Sequence, residues 1–523
     1  MDTRSLIDLL TRPAAYSHPV ERVIVHQTHI SAVSLAGPFA YKVKKPVALG
    51  FLDFSTPELR RHFCKEEVRL NRRLAPHIYL GVVPITRDGE RLQVDGTGEP
   101  IDWAVKMVRL PEGTSLLDRI IRGESLFNLI GRLAQFLADF HRRADAGPHI
   151  AAFGRFEVVA GNARENYSQC EPHVGTTLSR SVFDRLRALT EHALDQLHPL
   201  IESRAARGVP RDTHGDLHLD HVYLDPSRSP PDDLFAIDCI EFNERFRFAD
   251  PVADLAFLIM DLKFRHCPGF VELLAAAYFE AANDLEGAAL LPFYTAYRAA
   301  IRGKVEGFEL AEPEVPARNK EAAVARARGH WLLALGELDE PARRPALVLV
   351  GGLPGTGKST LAQRLAALGR FNVIRSDVIR KELAGLAPDT PGGQELYTPE
   401  WSDRTYAECL RRAERSLFDG QRIIVDATFR EDARRRAFLD LAQGLCVPTV
   451  VFACEAHPEV VRDRLTTRTG DASDASWEVY CHQRAAWEPP SEVAASAIVT
   501  LLTNPGADPL ASATTALRQK GML

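Results

Sequence analysis

The run THGDLHLDH, Thr213 to His221, sets three histidines and two aspartates in nine positions. His214 and His218 stand four apart, the spacing of two metal ligands on one helical face, and His221 with Asp216 or Asp220 could complete such a site. Gly215 interrupts the segment, however, and it has no HExxH frame. A second chemistry fits the surroundings better. Asp238 follows Asp216 at the end of the apolar run LFAID. A carboxylate that receives a hydroxyl proton and a second that holds Mg²⁺ are the two acids of phosphoryl transfer. Upstream, Ala40-Tyr41-Lys42 has the A-x-K form of a strand lysine that pairs nucleotide phosphates, with Lys44 on the same strand face as alternate. Glu67 on a charged helix could orient that lysine, with Glu66 as its rival.

A stronger signal lies downstream. Gly352 to Ser359 is a full match to GxxxxGK[ST], set between an apolar strand and an amphipathic helix. Gly352, Gly355 and Gly357 let backbone N–H groups turn toward phosphate at a helix N-terminus, with Thr356 and Thr360 beside them. Lys358 would reach the β- and γ-phosphates and Ser359 would bind Mg²⁺. Asp377 ends the next strand and can take the proton of an attacking hydroxyl, while Arg380, one turn on, can hold an anionic part of the acceptor. The competing role for Asp377 is a helix N-cap. Asp426 closes the apolar run RIIVD as a carboxylate near Mg²⁺. Arg462, Arg464 and Arg468 follow the fourth strand, where arginines can close over a nucleotide.

The elements that must position these groups fall into two patterns. From about Val23 to Leu110 the chain reads as short strands with one charged helix, Pro57 to Leu74; HISAVSL and FAYKVKK flank the turn Ala36-Gly37-Pro38. Beyond Pro111 the pattern is mainly helical, with Phe127, Ile130, Leu133, Leu137 and Phe140 on one inward face and a second helix from Val182 to Ile201, kinked at Pro199. From Ala346, strands and helices alternate, which predicts a parallel sheet. The expected domains are 1–335, with its small lobe to about 110, a linker at 336–345, a second domain at 346–505 and a weakly structured tail at 506–523.

With 523 residues the chain exceeds one core. Its 45% hydrophobic content, 26% charged residues and net charge of −6 suit an ordinary globular protein with no global pull toward nucleic acid or membrane. Eight scattered cysteines without a CxxC pair, no signal-like N-terminus and no long apolar run lead to the expectation of a cytoplasmic location.

Residues 345–500, through GLPGTGKS, SDVIR, VDAT and RLTTR, resemble P-loop kinases related to polynucleotide 5′-kinase, gluconate kinase, chloramphenicol phosphotransferase and zeta toxin. That likeness implies ATP-dependent phosphorylation of a hydroxyl, with Asp377 as general base and Arg464 or Arg468 in a lid. Residues 20–310, through AYK, KEEVRLN, HGDLH, IDCIEF and ADPVADLAFL, resemble the aminoglycoside phosphotransferase family, which implies a two-lobed protein-kinase-like α+β fold. Carried over, Asp216 is the base, Asp238 the Mg²⁺ ligand and Asp254 a structural acid near the loop. Two departures stand out: the first lobe has no GxGxxG, and His221 occupies the place of a metal-binding asparagine. The pairing of domains resembles bacterial fusions of an aminoglycoside phosphotransferase-like domain with a P-loop kinase.

The expected protein is therefore an ATP- and Mg²⁺-dependent phosphotransferase with two kinase-like domains, acting on a small-molecule or nucleic-acid-end hydroxyl and with no membrane partner. Rival readings make the first domain a non-catalytic sensor that regulates the second, make THGDLHLDH a transition-metal site, or make the P-loop domain a nucleotide-hydrolysing switch.

Overall fold

The computed structural model describes all residues except 1–2, 51, 90, 312–314, 388–389, 391–392, 468–472 and 474. The chain forms two compact units, Met1–Ala160 with Leu197–Tyr294, and Gly161–Gln196 with Thr295–Leu523.

In the first unit, strands β1 (Val23–Gln27), β2 (Ser31–Ala36), β3 (Phe39–Lys44), β4 (Tyr79–Asp88), β5 (Arg91–Val94) and β6 (Glu99–Val108) form one antiparallel sheet in the order β1-β2-β3-β6-β4-β5. The β2–β3 turn is the expected one. Ala36 pairs with Phe39, and Gly37 takes φ +58° at the first turn position, where a two-residue hairpin needs a positive φ. Alternation along β3 then sorts its side chains. Tyr41 and Val43 enter one core with Ala32, Ile85 and Ala104, while Ala40 joins Cys64, Val68 and Val105 on the opposite face. Lys42 and Lys44 share the Ala40 face, toward helix α1 (Pro57–Asn71). This helix begins at Thr56, whose hydroxyl accepts from Leu59 N at 3.2 Å, with Pro57 in its first turn. Arg60 then fastens it to β6 through two 2.8 Å bonds to Asp102, both side chains 1% exposed. Removing either partner would strand a buried charge.

The second lobe of this unit is helical, as expected. Helix α2 (Phe127–Arg143) buries Ile130, Leu133, Leu137 and Phe140. Phe127 departs from the expectation: it is 56% exposed, its ring edge-on to Phe270 at 4.9 Å. The polar loop lies ahead of the small hairpin β7 (Val222–Leu224) and β8 (Leu234–Ala236), and helix α3 (Pro251–Phe264), buried almost all round, stands behind it.

In the second unit, β9 (Ala346–Gly351), β10 (Asn372–Arg375), β11 (Arg422–Asp426), β12 (Thr449–Glu455) and β13 (Ile498–Leu502) form an all-parallel sheet in the order β10-β11-β9-β12-β13. The central strand ALVLVG is buried at every position, which explains its unbroken apolar run. Helices α4 (Lys358–Gly369), α5 (Ser376–Leu383) and α6 (Pro399–Phe418) belong to the same unit.

Three boundary expectations need correction. First, the unit that holds the parallel sheet also takes in 161–196 and the helices from Thr295 onward. Second, the proposed linker is not loose chain. A helix runs through Leu338, buried Asp339 pairs with Arg185, and Arg422 donates to the carbonyls of Pro341 and Arg344 at 2.9 and 3.1 Å. Charge and proline there serve a fastened turn. Third, the tail forms helix α7 (Pro509–Gln519), which buries Ala513, Ala516 and Leu517 against the sheet's core. Small alanines on that face gave little apolar signal. The helix across Pro199 runs unbroken from Arg180 to Ala206.

Candidate active sites

The first site is built on β3, α1 and the two loops that carry Asp216 and Asp238. Lys42 Nζ pairs with Asp238 Oδ1 and lies 3.0 Å from Glu67 Oε1. Lys44 Nζ bonds Glu67 Oε2 at 2.7 Å and pairs with Glu241. Glu67 is thus shared by both lysines, whereas Glu66 pairs outward with Arg69. Lys42 is the lysine that reaches the second acid; Lys44 is buried behind it. Burial alone would lower the Lys42 pKa, but Asp238 and then Glu67 outweigh it and raise it well above the usual ammonium value. Burial likewise pushes Asp238 upward, and Lys42 with His221 overcomes this to hold it well below the usual carboxylate value. Glu241 differs: burial raises its pKa despite Lys44.

Asp238 sits at φ +65°, and its N–H donates to the Tyr79 hydroxyl at 3.1 Å. The next N–H, of Cys239, donates to Asn71 Oδ1 at 2.9 Å. These bonds hold a left-handed turn that a non-glycine residue adopts at a cost of order 1–3 kcal/mol. Behind the Asp216 loop, Asp254 is fully buried and accepts from His214 N at 2.6 Å and Gly215 N at 2.9 Å. It therefore braces the loop backbone, with His141 Nε2 3.3 Å away. Gly215 takes φ +87°, and a Cβ there would lie 2.9 Å from the Phe246 carbonyl.

His214 is a brace as well. Its Nε2–H donates to the Ile237 carbonyl at 2.9 Å, and Nδ1 accepts from Asp216 N at 3.3 Å. The first bond ties the Asp216 loop to the strand that delivers Asp238. Burial lowers its pKa to about 4, with Asp254 opposing. The unfolded chain takes up a proton near pH 6.5 that the folded ring refuses until about 4. Stability from this site is complete above pH 6.5 and falls as the pH drops through that window, each whole pH step costing about 1.4 kcal/mol. Thermal unfolding at pH 7 and pH 4.5 should therefore show a larger drop in midpoint for wild type than for His214→Gln.

His218 Nε2 lies 3.7 Å from Asp216 Oδ2, and His221 Nε2 lies 3.8 Å from Asp238 Oδ2. Asp216, His218 and His221 offer ligand atoms within 4.8 Å of one another. Asp238 suits Mg²⁺, but the His221 imidazole does not, because that ion takes oxygen ligands.

The second site forms at the mouth of the parallel sheet. Gly352 (φ +144°) packs so tightly that a Cβ would meet the Cys454 carbonyl at 2.6 Å. Gly355 and Gly357 take φ +79° and +80°, and Thr356 Oγ1 donates to the Leu353 carbonyl at 2.8 Å. Lys358 and Ser359 open α4; Lys358 is 9% exposed and Thr360 faces outward. Asp426 is buried beside them. Burial raises its pKa, against the opposing effects of Lys358, the adjacent Ser359 hydroxyl and Arg375. Its Oδ1 accepts no hydrogen bond from any described residue. A buried carboxylate oxygen next to a serine hydroxyl is a donor set that fits Mg²⁺.

Asp377 is the second residue of α5, whose cap is Arg375, so it is not the N-cap. Arg380 is 7% exposed, donates to the Leu396 carbonyl at 2.7 Å and lies 4.9 Å from the centre of the Tyr397 ring. Arg464 is tied to the phosphate loop, donating to the Gly355 carbonyl at 3.3 Å and the Thr503 carbonyl at 2.5 Å. Arg462 stacks on Trp477 at 5.6 Å. Arg468 lies outside the described residues.

Sequence reasoning missed Glu241, Tyr79, Asn71 and Arg375. Only Glu241 carried a signal, three residues after Asp238 in IDCIEF. The others depend on packing between distant segments.

Fold and site thus define a chain with two kinase-type phosphotransferase domains. Residues 52–291 match the phosphotransferase enzyme family, and residues 347–490 match an AAA domain family. The uncharacterized protein Rv2004c of Mycobacterium tuberculosis H37Rv is 33% identical over 470 residues, covering 88% of this chain and 90% of its own. The uncharacterized protein Mb2027c of Mycobacterium bovis matches to the same extent. The chain belongs to the family of these mycobacterial proteins, an aminoglycoside phosphotransferase-like domain fused to a P-loop kinase domain. Among solved structures, a glucosamine kinase aligns at 16% identity with a TM-score of 0.33, covering 62% of this chain and 78% of its own. A gluconokinase from Sinorhizobium meliloti aligns at 18% identity with a TM-score of 0.24, covering 34% and 92%. No helix among the described residues is long and apolar enough to cross a membrane.

Proposed function

We propose that the chain is an ATP-dependent phosphotransferase with two transfer sites, each phosphorylating a hydroxyl of a small molecule or a nucleic-acid end, and that it works in the cytoplasm, where ATP is supplied. The observation that carries this reading is the convergence of Lys42, Glu67 and Asp238 in one ion-pair cluster, with Asp216 linked to it through His221. The phosphate loop with Asp426 and Ser359 supports the same chemistry in the second unit.

In each transfer the acceptor oxygen bonds to the γ-phosphorus, the bond to the β–γ bridging oxygen breaks, and ADP leaves. Divalent metal, when bound, neutralises charge on the phosphate oxygens. In the first site, Asp216 receives the hydroxyl proton, and Lys42 exchanges Asp238 for phosphate oxygens while Glu67 holds it in place. In the second, Lys358 and the loop N–H groups hold phosphate, Ser359 and Asp426 hold metal, and Asp377 receives the proton. Arg380 faces an anionic part of the acceptor, and Arg464 and Arg468 steady the nucleotide end.

The test is transfer of label from γ-labelled ATP to a panel of sugars, aminoglycosides and 5′-hydroxyl oligonucleotides. Label on at least one hydroxyl acceptor is expected. ATP hydrolysis with no labelled acceptor in the panel would favour the nucleotide-hydrolysing switch.

A further inference from the structure

We infer that the metal position of the first site joins Asp238 to His221 and selects a first-row divalent transition ion over Mg²⁺. The inference rests on the proposed first site only for the place of the metal.

The argument begins with the tautomer of His221. Its Nδ1 lies 2.8 Å from the backbone carbonyl of Asp216, which can only accept, so Nδ1 carries the hydrogen. The Nε2 lone pair is thereby turned outward, and it faces Asp238 Oδ2 at 3.8 Å. One divalent ion placed between these two atoms would be held by both.

Lys42 already serves the other oxygen of the carboxylate, Oδ1, which leaves Oδ2 to the His221 side. Metal–ligand bonds of about 2.0–2.2 Å can span two atoms up to ~4 Å apart, so one ion fits between Nε2 and Oδ2. A carbonyl that fixes the far nitrogen of a ligating histidine is the usual outer support of such sites. His218 adds a second imidazole, its ring centroid 3.8 Å from that of His221. An imidazole in place of an amide oxygen shifts preference from Mg²⁺ toward Mn²⁺ and the later first-row ions.

The experiment uses the full chain with Mn²⁺ alone, without nucleotide or acceptor, and reads ¹⁴N coupling in the pulsed EPR spectrum. Ser359 and Asp426 offer only oxygen, so Mn²⁺ at the phosphate loop contributes no imidazole coupling. Wild type should show the coupling, and His221→Asn and His221→Gln should lose it. The Mg²⁺ concentration needed to displace Mn²⁺ should also fall by at least about tenfold in His221→Asn. The wild-type spectrum decides even if a variant folds poorly. Absence of nitrogen coupling in wild type, or coupling that survives His221→Asn but not His218→Asn, would overturn the inference. Equal Mg²⁺ competition in wild type and His221→Asn would do the same. Phosphoryl transfer is judged by its own assay, so a failed metal assignment leaves the two-site reading standing.

Discussion

Lys358→Ala should cut phosphoryl transfer by the second unit by about 10²–10³-fold, the range typical of losing one preorganised charge-stabilising donor. Two effects combine. The first is direct loss of the ammonium group that, on the proposed reading, meets the β- and γ-phosphates at the start of α4. The second acts through Asp426. Burial already raises that carboxyl's pKa, and Lys358 is the foremost group opposing the rise. Without Lys358 the acid moves further toward its neutral form, which holds a divalent ion poorly. Metal affinity at this site should therefore weaken along with nucleotide affinity, and the loss should deepen as pH falls. The loop itself should persist, because its shape comes from Gly352, Gly355 and Gly357 and the Thr356–Leu353 bond. Titration of nucleotide with and without Mg²⁺, beside a thermal melt, separates this outcome from simple unfolding.

Asp216→Asn should lower transfer by the first unit by about 10²–10⁴-fold, the usual contribution of a positioned general base. The side chain is about a third exposed, and its loop is held by other atoms. Asp254 accepts the N–H groups of His214 and Gly215, and His221 donates to the Asp216 backbone carbonyl. The substitution leaves all three bonds in place, so the unfolding midpoint should barely move. Nucleotide binding should also hold, because Lys42, Glu67 and Asp238 are untouched. The predicted signature is a fall in kcat with little change in the KM for ATP. A parallel fall in stability would mean that Asp216 serves the loop and not the proton.

The two sites were not equally legible in the sequence. The phosphate loop could be read directly, because its chemistry is carried by contiguous backbone and each residue type answers a local demand of φ or charge. The strand runs of the parallel sheet were legible for a similar reason: burial on both faces leaves an unbroken apolar string such as ALVLVG. The first site is scattered from Lys42 to Glu241, and Lys42, Glu67, Asp216 and Asp238 stood out, with Glu66 as the rival of Glu67 and Asp254 named through the family resemblance. The choice of Glu67 over Glu66 required the helix's orientation, since adjacent residues face different sides. Tyr79 and Asn71 support the Asp238 turn from separate elements, so no local pattern could reveal them. The tail helix was hidden by composition. Its buried face is Ala513, Ala516 and Leu517, small enough to read as loop until the sheet's core is seen beneath it.

The metal-nest reading of THGDLHLDH and the kinase reading turn out to share residues. His214 ties two loops together, Asp254 fixes the backbone, and His218 and His221 flank the pair of acids. The loop has the supports that phosphoryl transfer asks for and a nitrogen donor that Mg²⁺ does not.

The central claim is that one chain carries two separate transfer sites. Its most direct test is ATP turnover, in the presence of the acceptor panel, by wild type, Asp216→Asn, Lys358→Ala and the double variant. Each single substitution is expected to remove one part of the turnover, and only the double variant to remove all of it. Complete loss with Lys358→Ala and no change with Asp216→Asn would contradict the account and leave the first unit a sensor for a single kinase.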